Sequence, residues 1–250
     1  MTYCCGILVR DGIVLVADTR TNAGLDNIST FRKLHVFEKP GERVLMLATA
    51  GNLSVTQGVV NFLNEGFENP ETGDIESAMT APTMLKAAQL VGRAVRRSRV
   101  EAEGADEQNS GVSFDVSLLL GGQIAGGAPR LFMIYTAGNC IECTPDTNYL
   151  QIGEHKYGKP ILDRAVHYES DLYDALKIGL ISMDSTIRSN LSVGLPIDIA
   201  LLRRDEMALE VSTRIDSSDA YFRDLRDSWS RALRAAHMAI PSPPYRGRTP

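Results

Sequence analysis

No stretch of this 250-residue chain approaches the roughly eighteen consecutive apolar residues that a bilayer-crossing helix needs. The first residues, MTYCCGILVRDG, have no early Lys or Arg and run straight into a turn, so they do not read as a secretory signal. The expected compartment is therefore the cytoplasm, where Cys4, Cys5, Cys140 and Cys143 stay reduced. Basic residues are too few for a nucleic-acid or anionic-membrane partner, with 26 Lys and Arg against 31 Asp and Glu. Also absent are G-x-S-x-G, G-x-x-x-x-G-K-[ST], H-E-x-x-H, and a G-x-G-x-x-G leading from strand to helix. The four histidines, His35, His155, His167 and His237, are scattered, and nothing points to a Ser-His-Asp triad. Cys140 and Cys143 have C-x-x-C spacing but make only half a metal site, and they sit on a predicted strand, where small buried side chains are the expectation. No cofactor and no metal is expected.

What remains is a chain of 44% hydrophobic and 23% charged residues, near the globular average. At this length it buries roughly 70–75% of its unfolded surface and needs no disulfide to fold. Strand patterns cover Tyr3 to Val9, Ile13 to Asp18, Lys33 to Glu38 and Arg43 to Ala50, with a polar loop from Thr19 to Thr30, and read as a meander. Helical spacing follows in Val55, Val59, Phe62, Leu63 and Phe67, and again from Met84 to Val95. The arginines at 93, 96, 97 and 99 fall off that apolar face, as a solvated face or subunit contact would. Residues 101–111 read as an acidic loop. More strands are predicted over 114–120, 131–136, 140–143 and 149–152, and the glycines of 121–127 read as a connecting turn. Helices are predicted over 158–166 and 171–188, the latter capped by Ser170. Two strands, 197–203 and 208–215, precede a helix from Asp219 that carries Phe222, Leu225, Trp229, Leu233 and Ala236 on one stripe, with Asp227 and Arg231 spaced to pair.

Strands and helices in blocks, rather than in strict alternation, argue for two antiparallel sheets packed face to face with helices on both outer faces. This is an α+β, four-layer αββα sandwich. One domain is expected over residues 1–240, with a mobile tail over 241–250.

The amino terminus carries the chemistry. Removal of Met1 before the small Thr2 is expected, and would leave a hydroxyl nucleophile and a free α-amine on one residue. Such an amine, with an ordinary pKa of about 7.7–8, serves as a base near pH 7 when a neighbouring ammonium pushes it down. Lys33 supplies the ammonium and Asp18 the carboxylate that holds it. The hairpin of the first two strands returns Asp18 to the side of Thr2. Ordinary surface residues are the alternative reading of Asp18 and Lys33.

GIVLVADTRTNAG, with Asp18-Thr19-Arg20, then Phe31-Arg32-Lys33-Leu34 and LMLATAGN, resembles the proteasome β-subunit pattern in order and spacing. The likeness continues through Gln151-Ile152-Gly153 and Ile197-Asp198-Ile199-Ala200, covering roughly residues 2–215. Within that superfamily, TYCCGILVRDG and DTRTNAG are most similar to the bacterial ancestral-β-subunit (Anbu) homologues. The resemblance implies an N-terminal-nucleophile hydrolase that cuts polypeptide or peptide substrates: Thr2 attacks, its amine takes the proton, and Lys33, paired with Asp18, tunes the amine. It implies a backbone oxyanion hole near Thr49, supporting roles for Arg20, Glu154, Asn190 and Ser192, and a self-compartmentalising homo-oligomer, with an unfoldase partner left open. Two departures stand out. Ala48-Thr49-Ala50 replaces the glycine of the family's turn, and Glu154 falls where the family has a serine. A carboxylate there is expected to hold the amine's pKa up and keep the site at rest. Three readings stay open: a threonine-type peptidase, a weakly catalytic or inactive assembly protein on the same fold, and another N-terminal-nucleophile amidase.

Overall fold

The computed structural model describes residues 1–22, 28–69, 72–104 and 111–245. Strands β1 (Tyr3–Val9), β2 (Gly12–Asp18), β3 (Arg20–Asn22), β4 (Ile28–Thr30), β5 (Leu34–Lys39) and β6 (Arg43–Gly51) lead into helix α1 (Leu53–Glu65). The short β7 (Phe67–Glu68) and β8 (Ile75–Glu76) precede α2 (Met84–Gly104). Then come β9 (Val116–Ile124), β10 (Arg130–Tyr135), β11 (Cys140–Glu142), β12 (Tyr149–Gly153), α3 (Lys159–Ala165) and α4 (Leu172–Ser189). The chain closes with β13 (Ile197–Arg203), β14 (Val211–Ile215) and α5 (Ala220–Ala239).

Two five-stranded antiparallel sheets form, in the orders β12-β1-β2-β13-β14 and β11-β10-β9-β6-β5. Strand alternation sorts the side chains into three cores. Cys4, Leu8, Ile13, Leu15, Met46, Ala48 and Leu119 fill the space between the sheets. Tyr3, Cys5, Ile7, Val14 and Val16 pack outward under the helical layer that supplies Leu162, Leu180 and Phe222. Leu45, Leu47, Leu118 and Leu120 pack outward on the other side, against Val59, Leu63, Ala88 and Val91. The result is the four-layer αββα sandwich.

Several local expectations are corrected. The first four long strands are not one meander: β1 and β2 lie in one sheet, β5 and β6 in the other, and the chain crosses between them through the β3-β4 ribbon. That ribbon occupies both ends of the expected loop at 19–30; residues 23–27 lie outside the described residues. Helix α2 runs on to Gly104 because Arg97–Glu101 and Arg99–Glu103 pair at i,i+4 and neutralise the acidic stretch; residues 105–110 of the expected loop lie outside the described residues. Gly121 and Gly122 belong to β9, and Gly121 faces the other sheet, where an added side chain would press on Leu15 and Ile13 of β2. Asp171, not Ser170, caps α4, accepting from the Tyr173 and Asp174 N–H groups, while Ser170 accepts from the His167 N–H one turn earlier. Arg231 donates to Ser228 instead of pairing with Asp227. From Arg231 onward every residue of α5 is exposed, so the lower half of its apolar stripe has no cover among the described residues. Pro241 to Tyr245 follow without helix or strand, and the rest of the expected mobile tail, 246–250, lies outside the described residues. Cys143 is buried just past β11, and burial pushes its thiol up to about 12.

Candidate active site

Thr2 immediately precedes β1, and β1 lies between β12 and β2. Its two neighbours therefore flank the amino terminus. On one side the β1-β2 hairpin sets Cys4 opposite Ala17, which brings Asp18 back to the start of β1. There the Tyr3 N–H donates to Asp18 Oδ1 at 3.1 Å. On the other side β12 ends at Gly153, opposite Tyr3, and the Glu154 N–H donates to the Thr2 carbonyl at 2.7 Å. Gly153 has φ 79°, and a Cβ there would be driven into the Thr2 carbonyl oxygen, so only glycine lets the two strands close at this point.

Lys33 arrives from the second sheet, one residue before β5. Its ammonium donates to Asp18 Oδ1 at 2.9 Å and to the Arg20 carbonyl at 2.5 Å, and both side chains of the ion pair are almost wholly buried. Burial pushes the Asp18 carboxyl above its ordinary range, while the Lys33 charge and the Tyr3 and Gly194 N–H groups pull it back. Asp18 Oδ2 has no well-formed hydrogen bond among the described residues.

A cavity of about 360 Å³ opens over these groups, lined by Thr2, Thr21, Lys33, Thr49 to Gly51, Leu53, Thr56, Gly153 and Glu154, with Met1 at its mouth. Glu154 Oε2 accepts from Asn190 Nδ2 at 2.9 Å, and Asn190 Oδ1 in turn accepts the Ser192 N–H at 2.9 Å. Lys156 pairs with Glu154 from solvent at 3.4 Å. Arg20 ties the same loop down by donating to the Leu191 carbonyl at 3.0 Å, its guanidinium lying against Gly194 where a Cβ would collide.

All the residues singled out in the sequence thus gather at one end of the sandwich, but Thr49 does not supply the expected free N–H. It donates to the Lys33 carbonyl at 2.9 Å as the last rung between β6 and the segment entering β5. Asn52 N–H donates to the Asp115 carbonyl at 3.0 Å, which fixes the alternation on the other edge. Ala48, Ala50 and Asn52 therefore turn their amides to β9, and the Gly51 amide points the opposite way, past the end of β5 and along the cavity wall. Sequence reasoning missed Gly51; the signal was the glycine ending the strand in ATAGN. It also missed Gly194 and the Glu154–Asn190 contact, for which no sequence pattern exists.

The family model described as "Proteasome subunit" matches residues 2–202. Proteasome subunit beta 2 of Nitrosopumilus maritimus (strain SCM1) is 25% identical over 214 residues, covering 83% of this chain and 89% of that protein. A Gly-1 mutant of Anbu from Hyphomicrobium sp. strain MC1 is 46% identical with a TM-score of 0.88, covering 98% of this chain and 100% of that one. A structure described as the helical assembly of the Anbu complex from Pseudomonas aeruginosa is 44% identical with a TM-score of 0.89, covering 97% and 98%. The chain belongs to the proteasome-subunit family, and within it to the Anbu, or ancestral β-subunit, type.

Proposed function

We propose that the protein is a threonine-type peptidase in which Thr2, freed by removal of Met1, is the nucleophile. The observation that carries this reading is the buried Lys33–Asp18 pair held beside Thr2 in an open cavity. Thr2 Oγ attacks the scissile carbonyl, and its proton passes to the α-amine of the same residue. The Lys33 ammonium disfavours a second positive charge on that amine and so keeps it basic-neutral near pH 7. Asp18 holds Lys33 in place and fixes the start of β1 through the Tyr3 N–H. The oxyanion is received by the Gly51 N–H, which replaces Thr49 in this role. Proton return to the leaving amine and attack by water complete the cycle through the same amine.

The chain acts as a homo-oligomer on this reading. The support is the helical assembly of its Pseudomonas relative, together with the exposed Leu233, Met238 and Ile240 on and just past the end of α5. A second reading, a weakly catalytic assembly protein, is favoured by one observation: Glu154, a carboxylate, faces the nucleophile's cavity where a neutral donor would serve better. The test is peptide hydrolysis by chain shown by mass to lack Met1. Hydrolysis that disappears in Thr2→Ala supports the peptidase. Inert, fully assembled, demethionylated protein supports the second reading.

A further inference from the structure

Strand β12 is an edge strand, and its outer edge is open among the described residues. The Leu8 N–H donates to the Asn148 carbonyl and the Glu154 N–H to the Thr2 carbonyl, so residues 148, 150, 152 and 154 spend their polar groups on β1. Alternation turns Tyr149, Gln151 and Gly153 the other way, where no strand pairs with them among the described residues. Among the described residues only the Gly153 carbonyl is used locally, by the His155 N–H. An unprotected edge of this kind is a template for another strand.

The second sheet continues beneath this opening. Strand β12 packs chiefly over β9 and β6 and touches β10 more lightly, so β10 is covered only in part. On the inner face of β10, Leu131 is buried, but Met133 and Tyr135 are only half covered. The first sheet thus covers this end of the second only in part. The gap is a groove of about 680 Å³, walled by Met133 and Tyr135 below, by the Tyr149–Gly153 edge along its length and by Lys159 above. Lys159 is neutralised by Asp163 and hydrogen-bonded to Tyr149, so the groove offers backbone groups and apolar surface, with Asp146 as the remaining acidic residue of its lining.

Gly153 lines both this groove and the cavity over Thr2. The cavity's other wall, Thr21 with Thr49 to Gly51, brings two more strand edges and the Gly51 amide to the acyl side of the nucleophile. The groove lies across Thr2 from them. We infer that the open edge of β12 binds the half of a polypeptide substrate beyond the scissile bond, as an added strand of about five residues, or roughly 16 Å. This rests on the peptidase reading for its substrate, though not for its binding. Recognition runs through the main chain of Tyr149, Gln151 and Gly153 and is tolerant of sequence, with alternate side chains lying over Met133 and Tyr135.

The experiment has a binding arm and a kinetic arm. Amide hydrogen exchange of residues 149, 151 and 153 is followed in the assembled Thr2→Ala protein, with and without a capped pentapeptide of alternating leucine and threonine. A matched peptide N-methylated at alternate residues serves as control. The expected result is at least about tenfold slower exchange at those amides with the plain peptide and no change with the methylated one. No slowing at millimolar peptide overturns the proposal. Slow exchange before any peptide is added also overturns it, assigning the edge to a second copy of the chain. In the kinetic arm, peptides with one acyl half carry either an aminocoumarin or a five-residue leaving half. The longer substrate should gain about tenfold in kcat/KM and lose it on N-methylation; equal rates overturn the assignment of the leaving half. Slowed exchange without hydrolysis of either substrate leaves the binding edge standing and removes the peptidase reading instead.

Discussion

Two carboxylates flank Thr2, and they are built in opposite ways. Asp18 ends a core strand, is fully buried, and meets Lys33 and the Tyr3 N–H on one oxygen. Glu154 begins a loop, is open to the cavity, and meets Asn190 from another loop and Lys156 from solvent. The first is a fixed part of the sandwich, since Asp18 cannot move without stranding a buried ammonium. The second is an adjustable contact whose partners can change without disturbing a layer. On the proposed peptidase reading, the two sides divide the work: the Asp18 flank sets up the base, and the Glu154 flank decides when it works.

Substitution tests that contrast from its largest expected effect. Lys33→Ala leaves a buried carboxylate without its counter-ion and should lower stability by about 3–5 kcal/mol. Peptide hydrolysis should fall by at least about 100-fold. Denaturant unfolding together with turnover checks both, and a stable, active variant would break the account of the Asp18 flank. Gly194→Ala should be milder, about 1–3 kcal/mol, because the added methyl must displace the Arg20 guanidinium that holds the 190–194 loop. Its unfolding midpoint should drop, while Arg20→Ala,Gly194→Ala should recover part of the loss.

Glu154→Ser should change stability by no more than about 1 kcal/mol, since its contacts are loop contacts. Its effect belongs in the pH–rate profile. A carboxylate near an ammonium stabilises the charged form, so removing it lowers the amine's pKa. The ascending acid limb of kcat/KM should then move to lower pH in the variant. A limb that stays in place would remove Glu154 from the control of the base. The smallest effect is a slope. The Asp18 pKa is raised in the fold, so its contribution to stability is fully present below its unfolded pKa and lost as pH rises through the folded one. The stability of the parent relative to Asp18→Asn should therefore fall as pH climbs through the carboxylate range, and a rise there would contradict the burial-dominated shift.

The same contrast explains what could be read in advance. Asp18 beside Thr2 followed from the β1-β2 hairpin, because two apolar runs joined by Arg10-Asp11-Gly12 leave little choice of pairing. Lys33 was reached by the wrong route. Strands β1, β2 and β6 are buried on both faces, so their patterns do not say which sheet each joins, and a crossing between sheets looks like a meander in sequence. The Glu154–Asn190 contact was illegible, since it joins two loops 36 residues apart and neither carries a period. The Thr49 amide failed as an oxyanion donor for a similar reason. Which amide of a strand end is free depends on the register with both neighbours, and that register appears only once the sheets are assembled.

The most direct test of the central claim is covalent capture. Assembled protein is incubated with an electrophilic peptide, and its intact mass and the modified residue are read by mass spectrometry. The account predicts one adduct per chain, on Thr2, only in molecules lacking Met1, and lost in Thr2→Ala. Chains that lack Met1 yet carry no adduct, or an adduct that persists in Thr2→Ala, would contradict it.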